Sequence, residues 1–132
     1  MKLQPDKSNA PMVRAYGPGW IQVDHDKYAH SVLVSSLQEM PTEAWKPVKF
    51  EDLQAQDLAP LAALGAELVI LGTGDRLRFV PAAWQSPFAE HRVGLETMDT
   101  AAACRTYNIL ASEGRKVIAA LLIESDSTNS VG

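Results

Sequence analysis

Two short stretches carry the residue types best suited to chemistry. Gly72-Thr73-Gly74-Asp75-Arg76 follows an apolar run, and Met98-Asp99-Thr100 precedes a helical pattern that contains Arg105. Open parallel sheets place ligands at the carboxyl ends of their strands, and a helix start offers unpaired N–H groups to an anion. If both stretches leave parallel strands, Gly72, Thr73, Gly74, Asp75, Arg76, Asp99, Thr100 and Arg105 line one crevice. Arg76 and Arg105 would hold a carboxylate or phosphate, the helix start at Thr100 would assist, and Asp99 would serve as a base. The same residues have a plain structural use, because glycines permit a tight turn and Thr100 suits a helix cap. The glycine pair is neither a dinucleotide fingerprint nor a P-loop, and Asp75 and Asp99 oppose a phosphate.

Other candidates fall away. Cys104 is the single cysteine, so an intrachain disulfide and a zinc ribbon are both excluded. Its alanine neighbours point to close packing, where cysteine is a small apolar filler. Asp24-His25-Asp26 reads as a polar turn, with no second histidine at ligand spacing, and His30 and His91 are isolated. A Gly-x-Ser-x-Gly elbow is absent, so a hydrolase triad has no nucleophile signal. Trp20, Trp45 and Trp84 are dispersed and read as core anchors, or as an exposed patch for a partner or a second copy. No metal or cofactor is called for, and catalytic residues are not assigned.

The elements that must position these residues follow from periodicity. Tyr16-Gly17-Pro18-Gly19 is a turn. Ile21 and Val23 alternate with polar neighbours, Asp24 to Lys27 reverses the chain, and Tyr28 to Ser36 forms the other strand of an antiparallel hairpin. Pro41 and Pro47 break the next segment. Asp57 caps a helix that Gly65 ends, with Leu58, Leu61 and Leu64 on one side. Leu68 to Leu71 is a strand buried on both faces. Pro81 to His91 is a short helix and Val93 to Met98 a strand. Asp99 or Thr100 caps a helix ended by Gly114, and Lys116 to Ile123 is the last strand. In that helix Ala103, Tyr107, Leu110 and Ala111 share one face, and Arg105, Asn108 and Ser112 the other. From Glu67 the order is β-α-β-α-β, which implies parallel pairing and a single α/β domain over residues 12–124, with loose termini at 1–11 and 125–132.

Composition narrows the function classes. The chain has 132 residues, 46% hydrophobic and 21% charged, enough for one core without staples. Six basic and eight acidic residues lie in each half, so neither a nucleic-acid footprint nor a membrane-binding basic cluster is visible. The longest apolar run, Val117 to Ile123, is far short of the ~20 residues of a spanning helix. The polar start lacks a signal-peptide core or a presequence, which predicts a cytoplasmic protein. Composition and spacing do not supply a ligand or an oligomeric state.

A family resemblance adds to this. Met98-Asp99-Thr100, Ala103 to Asn108, Leu110 and Glu113-Gly114-Arg115, with Tyr16-Gly17-Pro18-Gly19 and Leu71-Gly72-Thr73-Gly74, resemble a family of small domains of unknown function. That family includes the mitochondrial NADH:ubiquinone oxidoreductase (complex I) assembly factor 3 and its prokaryotic relatives. The resemblance spans Met12 to about Ile123. It implies a compact three-layer α/β domain with a mixed sheet, no established catalytic residues, and action through protein partners. The expected function is therefore a non-enzymatic binding protein of the assembly-factor kind, with a small anionic ligand or an enzyme in the strand-end crevice as the alternative.

Overall fold

In the computed structural model, residues 9–124 are described. The described residues form two sheets and three α-helices, joined by 3-10 turns. Strands β1 (Val13–Gly17), β2 (Trp20–Val23) and β3 (Asp26–Tyr28) form an antiparallel sheet in that order. The larger sheet holds β4 (Val32–Ser35), β5 (Glu43–Ala44), β6 (Leu68–Gly72), β7 (Gly94–Met98) and β8 (Val117–Leu121), ordered β5-β4-β8-β6-β7. Strand β6 runs parallel to both β7 and β8, and β4 is antiparallel to β5 and β8.

Alternation along the central strands divides the interior in two. Val117, Ala119, Leu121 and Ile123 face one side with Val32, Val34 and Ile70. Ile118, Ala120 and Leu122 face the other with Leu33, Val69 and Leu71. A run apolar at every position is what a strand covered on both faces needs. The first side is covered by helix α3 (Thr100–Ser112), through Ala103, Cys104, Tyr107 and Ala111, and by the small sheet through Val13, Ile21 and Val23. The second is covered by α1 (Ala55–Leu58), by the 3-10 turn Ala59–Ala63 and by α2 (Ser86–His91), with Trp45, Leu58, Leu61 and Phe88 as the large contributors. The architecture is thus a three-layer mixed α/β fold.

Three expectations are corrected. Tyr28 to Ser36 is not one strand: Asp26–Tyr28 belongs to the small sheet and Val32–Ser35 to the large one. Buried Ser31 separates them, its carbonyl accepting from Trp45 N–H and its hydroxyl from Ile123 N–H. Val13–Gly17, absent from the expected elements, is a strand that completes the small sheet. Asp57 does not open its helix; it lies in the first turn and accepts from Gln54 N–H at 2.8 Å, and Leu64 is exposed.

Of the termini, 1–8 and 125–132 lie outside the described residues. Residues 9–11 are described, and there Ala10 packs on the core and the Pro11 carbonyl accepts from the buried Tyr107 hydroxyl at 2.8 Å. The neighbouring Asn108 side chain makes two bonds to Val13, accepting its N–H at 2.9 Å and donating to its carbonyl at 2.8 Å. These contacts fasten β1 to α3 and fix the turn that follows β1.

Candidate functional site

Strands β6 and β7 pair in parallel with Leu71 opposite Thr97 and Gly72 opposite Met98, so the loops after them leave the same rim. Strand β8 also ends there, with Leu121 opposite Gly72. One hydroxyl joins the three ends. Thr100 Oγ1 accepts from Gly74 N–H at 2.8 Å and donates to the Leu122 carbonyl at 2.8 Å. Thr100 N–H in turn donates to the Gly74 carbonyl at 2.8 Å. The approach is close enough that a Cβ on Gly72 would stand 3.0 Å from Thr100 Cα, and Gly74 adopts φ +101°, a region that favours glycine. Thr73 is buried and donates to the Arg76 carbonyl at 2.7 Å, holding the loop turned.

Asp99 is the N-cap of α3, its Oδ1 accepting from Ala102 N–H at 2.8 Å. The carboxylate therefore occupies the position at the helix start that an anion would take.

Above this rim lies the β1–β2 turn. Pro18-Gly19 forms the corner, and Gly17 pairs with Trp20 across it. Turn and rim enclose a cleft of about 610 Å³, lined by Tyr16–Trp20 on one wall and by Gly74, Asp75, Asp99–Ala101 and Leu122–Glu124 on the other. Of the residues expected at a crevice, Gly74, Asp75, Asp99 and Thr100 line it. Gly72 and Thr73 are buried and outside the lining. Arg76 is exposed and outside it too. Arg105 is exposed and donates to Tyr16 Oη at 2.9 Å, so it touches the wall without lining the cleft. Tyr16, Trp20 and Glu124 are lining residues that sequence reasoning did not place there. The signal for the first two was the Tyr16-Gly17-Pro18-Gly19 motif, read as a turn alone.

Charge is distributed unevenly. The charged side chains of the lining are Asp75, Asp99 and Glu124, all carboxylates. One guanidinium group meets them from outside. Arg78 pairs with Glu124 at 3.2 Å and with Asp75 at 3.6 Å, while its guanidinium carbon lies 5.5 Å from the Phe50 ring centroid. Arg105 is held by Tyr16. Lys27 Nζ sits 4.3 Å from the Trp20 ring centroid. In the core, burial pushes the Cys104 thiol up to about 12, so the thiolate that nucleophilic chemistry needs is not formed near neutral pH. Among the described residues, no group of three His, Cys, Asp or Glu side chains stands close enough to hold a metal ion, and no helix is long and apolar enough to cross a membrane.

Comparisons with known proteins agree with this architecture. A crystal structure of a Bordetella parapertussis protein is similar with a TM-score of 0.80 and 36% identity, covering 91% of this chain and 100% of that one. The "13 kDa major membrane protein" of Francisella tularensis is 27% identical over 89% of this chain and 95% of its own length. The Xenopus tropicalis protein named NADH dehydrogenase [ubiquinone] 1 alpha subcomplex assembly factor 3 is 26% identical over 92% of this chain and 66% of its own length. Residues 13–122 match the model of one family, and the chain belongs to it: the family described as protein of unknown function (DUF498/DUF598).

Proposed function

We propose that this protein is a non-catalytic binding domain that docks a protein partner in the cleft between the Tyr16–Trp20 turn and the strand-end rim. One observation carries the reading. The three motifs of the resemblance, distant in sequence, meet at this cleft: Tyr16 to Gly19 forms one wall, Gly74 and Asp99-Thr100 the other, and Gly72 fixes the rim. The aromatic and proline side chains of the turn supply apolar contact of the kind that anchors interfaces. The similarity to a protein named as an assembly factor supports action through a partner.

The chemistry of the lining argues against the small-anion alternative, because Arg76 and Arg105 do not line the cleft and its charged groups are carboxylates. A cytoplasmic location is part of the proposal and fits a lone, reduced, buried cysteine. A relative bears the name of a membrane protein, so fractionation of cells into soluble and membrane pools tests that part.

Photo-crosslinking tests the docking surface. A photoreactive phenylalanine analogue at Tyr16 or Pro18, in the cleft, is compared with one at Gln38, on the opposite rim. The same partner band from both cleft positions and none from Gln38, in extract of the parent organism, is the expected result. Equal capture from all three positions, or capture from Gln38 alone, contradicts it.

A further inference from the structure

We infer that the segment seated in the cleft is cationic as well as apolar: a short stretch of the partner in which arginine or lysine alternates with aliphatic or proline residues. The inference rests on the docking reading above and names the chemistry of the occupant. Its basis is the pairing of two wall types. The turn presents Tyr16, Pro18 and Trp20, and Ala101 stands on the facing wall. Beside them stand Asp75, Asp99 and Glu124, and no lysine or arginine belongs to the lining.

The carboxylates are only partly neutralised. Asp75 meets Arg78 at 3.6 Å while 83% of its side chain is exposed, a separation and exposure at which pairing is weak. Asp99 uses Oδ1 for the helix cap, and its Oδ2 makes no hydrogen bond among the described residues. Glu124 receives Arg78 and the Phe50 N–H on Oε2, which leaves Oε1 without a hydrogen bond among the described residues. A guanidinium or ammonium entering between these groups would gain charge-assisted hydrogen bonds without breaking the Thr100 clamp. Arg78, Arg105 and Lys27 are already engaged with Glu124, Tyr16 and Trp20, so they do not fill that position themselves. An acidic segment would meet the carboxylates with no lining cation to offset them.

Fluorescein-labelled peptides with three Pro-Leu-X repeats, X being arginine, glutamine or glutamate, provide the probe. In fluorescence anisotropy at low salt the arginine peptide is expected to bind the full chain at least about tenfold more tightly than the glutamate peptide, and the preference to shrink in about 0.5 M salt. The double variant Asp75→Asn, Asp99→Asn, in which asparagine can still cap the helix, should lose most of the preference while unfolding at the wild-type temperature. Equal binding of the three peptides, tighter binding of the glutamate peptide, or no arginine-peptide binding below about 1 mM overturns the inference. Ala101→Phe, which fills the cleft without charge, separates the two claims. If it abolishes the crosslinks from Pro18 while the peptides show no charge preference, the docking reading stands and the cationic occupant is wrong. If it changes neither crosslinking nor peptide binding, the docking reading itself is wrong.

Discussion

The two rims of the central sheet are held together differently. At the carboxyl rim, the ends of β6, β7 and β8 meet through the Thr100 hydroxyl, and Gly72 lies so close to Thr100 that a methyl group would crowd the backbone. At the amino rim, Ser36 bridges to β8 by accepting Val117 N–H and donating to the Arg115 carbonyl, and Glu67 pairs with Arg115 at 3.2 Å. Both partners of that ion pair are about half exposed. A groove of about 1100 Å³ opens at this second rim, larger than the cleft, yet bordered by Gln38, Glu39, Arg115 and Lys116 in open solvent. Volume therefore does not decide which rim is built for a partner. The carboxyl rim commits buried polar groups and the close approach of Gly72 to Thr100 to holding three chain segments in one arrangement. The ion pair of the amino rim is a contact that water and salt readily replace.

Breaking the clamp should have the largest effect. Thr100→Val keeps the shape but leaves Gly74 N–H and the Leu122 carbonyl without their partner, and both residues are buried; chemical denaturation should show a loss of about 2–4 kcal/mol. Gly72→Ala tests the close approach instead, forcing Thr100 and Leu121 to give way, and should cost about 1–3 kcal/mol in the same measurement.

A third effect appears only in alkali. Cys104 has its thiol pushed up to about 12 by burial, so its stabilisation is full below the ordinary thiol value of 9.0 and is lost as pH rises from there towards 12. Wild type should lose stability over that interval more steeply than Cys104→Ala, and below pH 9 the difference between them should be constant.

The smallest effect belongs to the amino rim. Lys116 N–H and then Arg115 hold the Glu67 carboxyl below its usual range, so its contribution is present above the usual carboxylate value and fades as pH falls through the lowered one. Glu67→Gln should shift the unfolding midpoint less than either carboxyl-rim variant, and about 0.5 M salt should erase the shift. A Glu67→Gln loss equal to that of Thr100→Val would end the contrast between the rims.

Much of this arrangement was legible in local patterns. Leu68 to Leu71 announces a doubly covered strand by being apolar at every position, Val117 to Ile123 is an unbroken apolar run, and their parallel pairing follows from the helices between them. Asp99 signals a helix start by its type and place. What was hidden depends on contacts across long sequence separations. Nothing local marks His30-Ser31 as a break between two sheets; Ser31 is fixed there by Trp45 and Ile123. Val13–Gly17 becomes a strand over the rim because Asn108, 95 residues away, binds its first residue on both backbone groups. For the same reason the second wall of the cleft could not be read from the loops that form the first. Arg105 lay within reach on a helical wheel, but whether it faces an anion or a tyrosine depends on where that hairpin lands.

Amide hydrogen exchange of the protein alone and with its crosslinked partner bound compares the two rims in one experiment. Added protection is expected at 16–20, 74–75 and 99–101, with exchange at 36–40 and 114–116 unchanged. Protection confined to the second set, with the first unchanged, would contradict the docking reading.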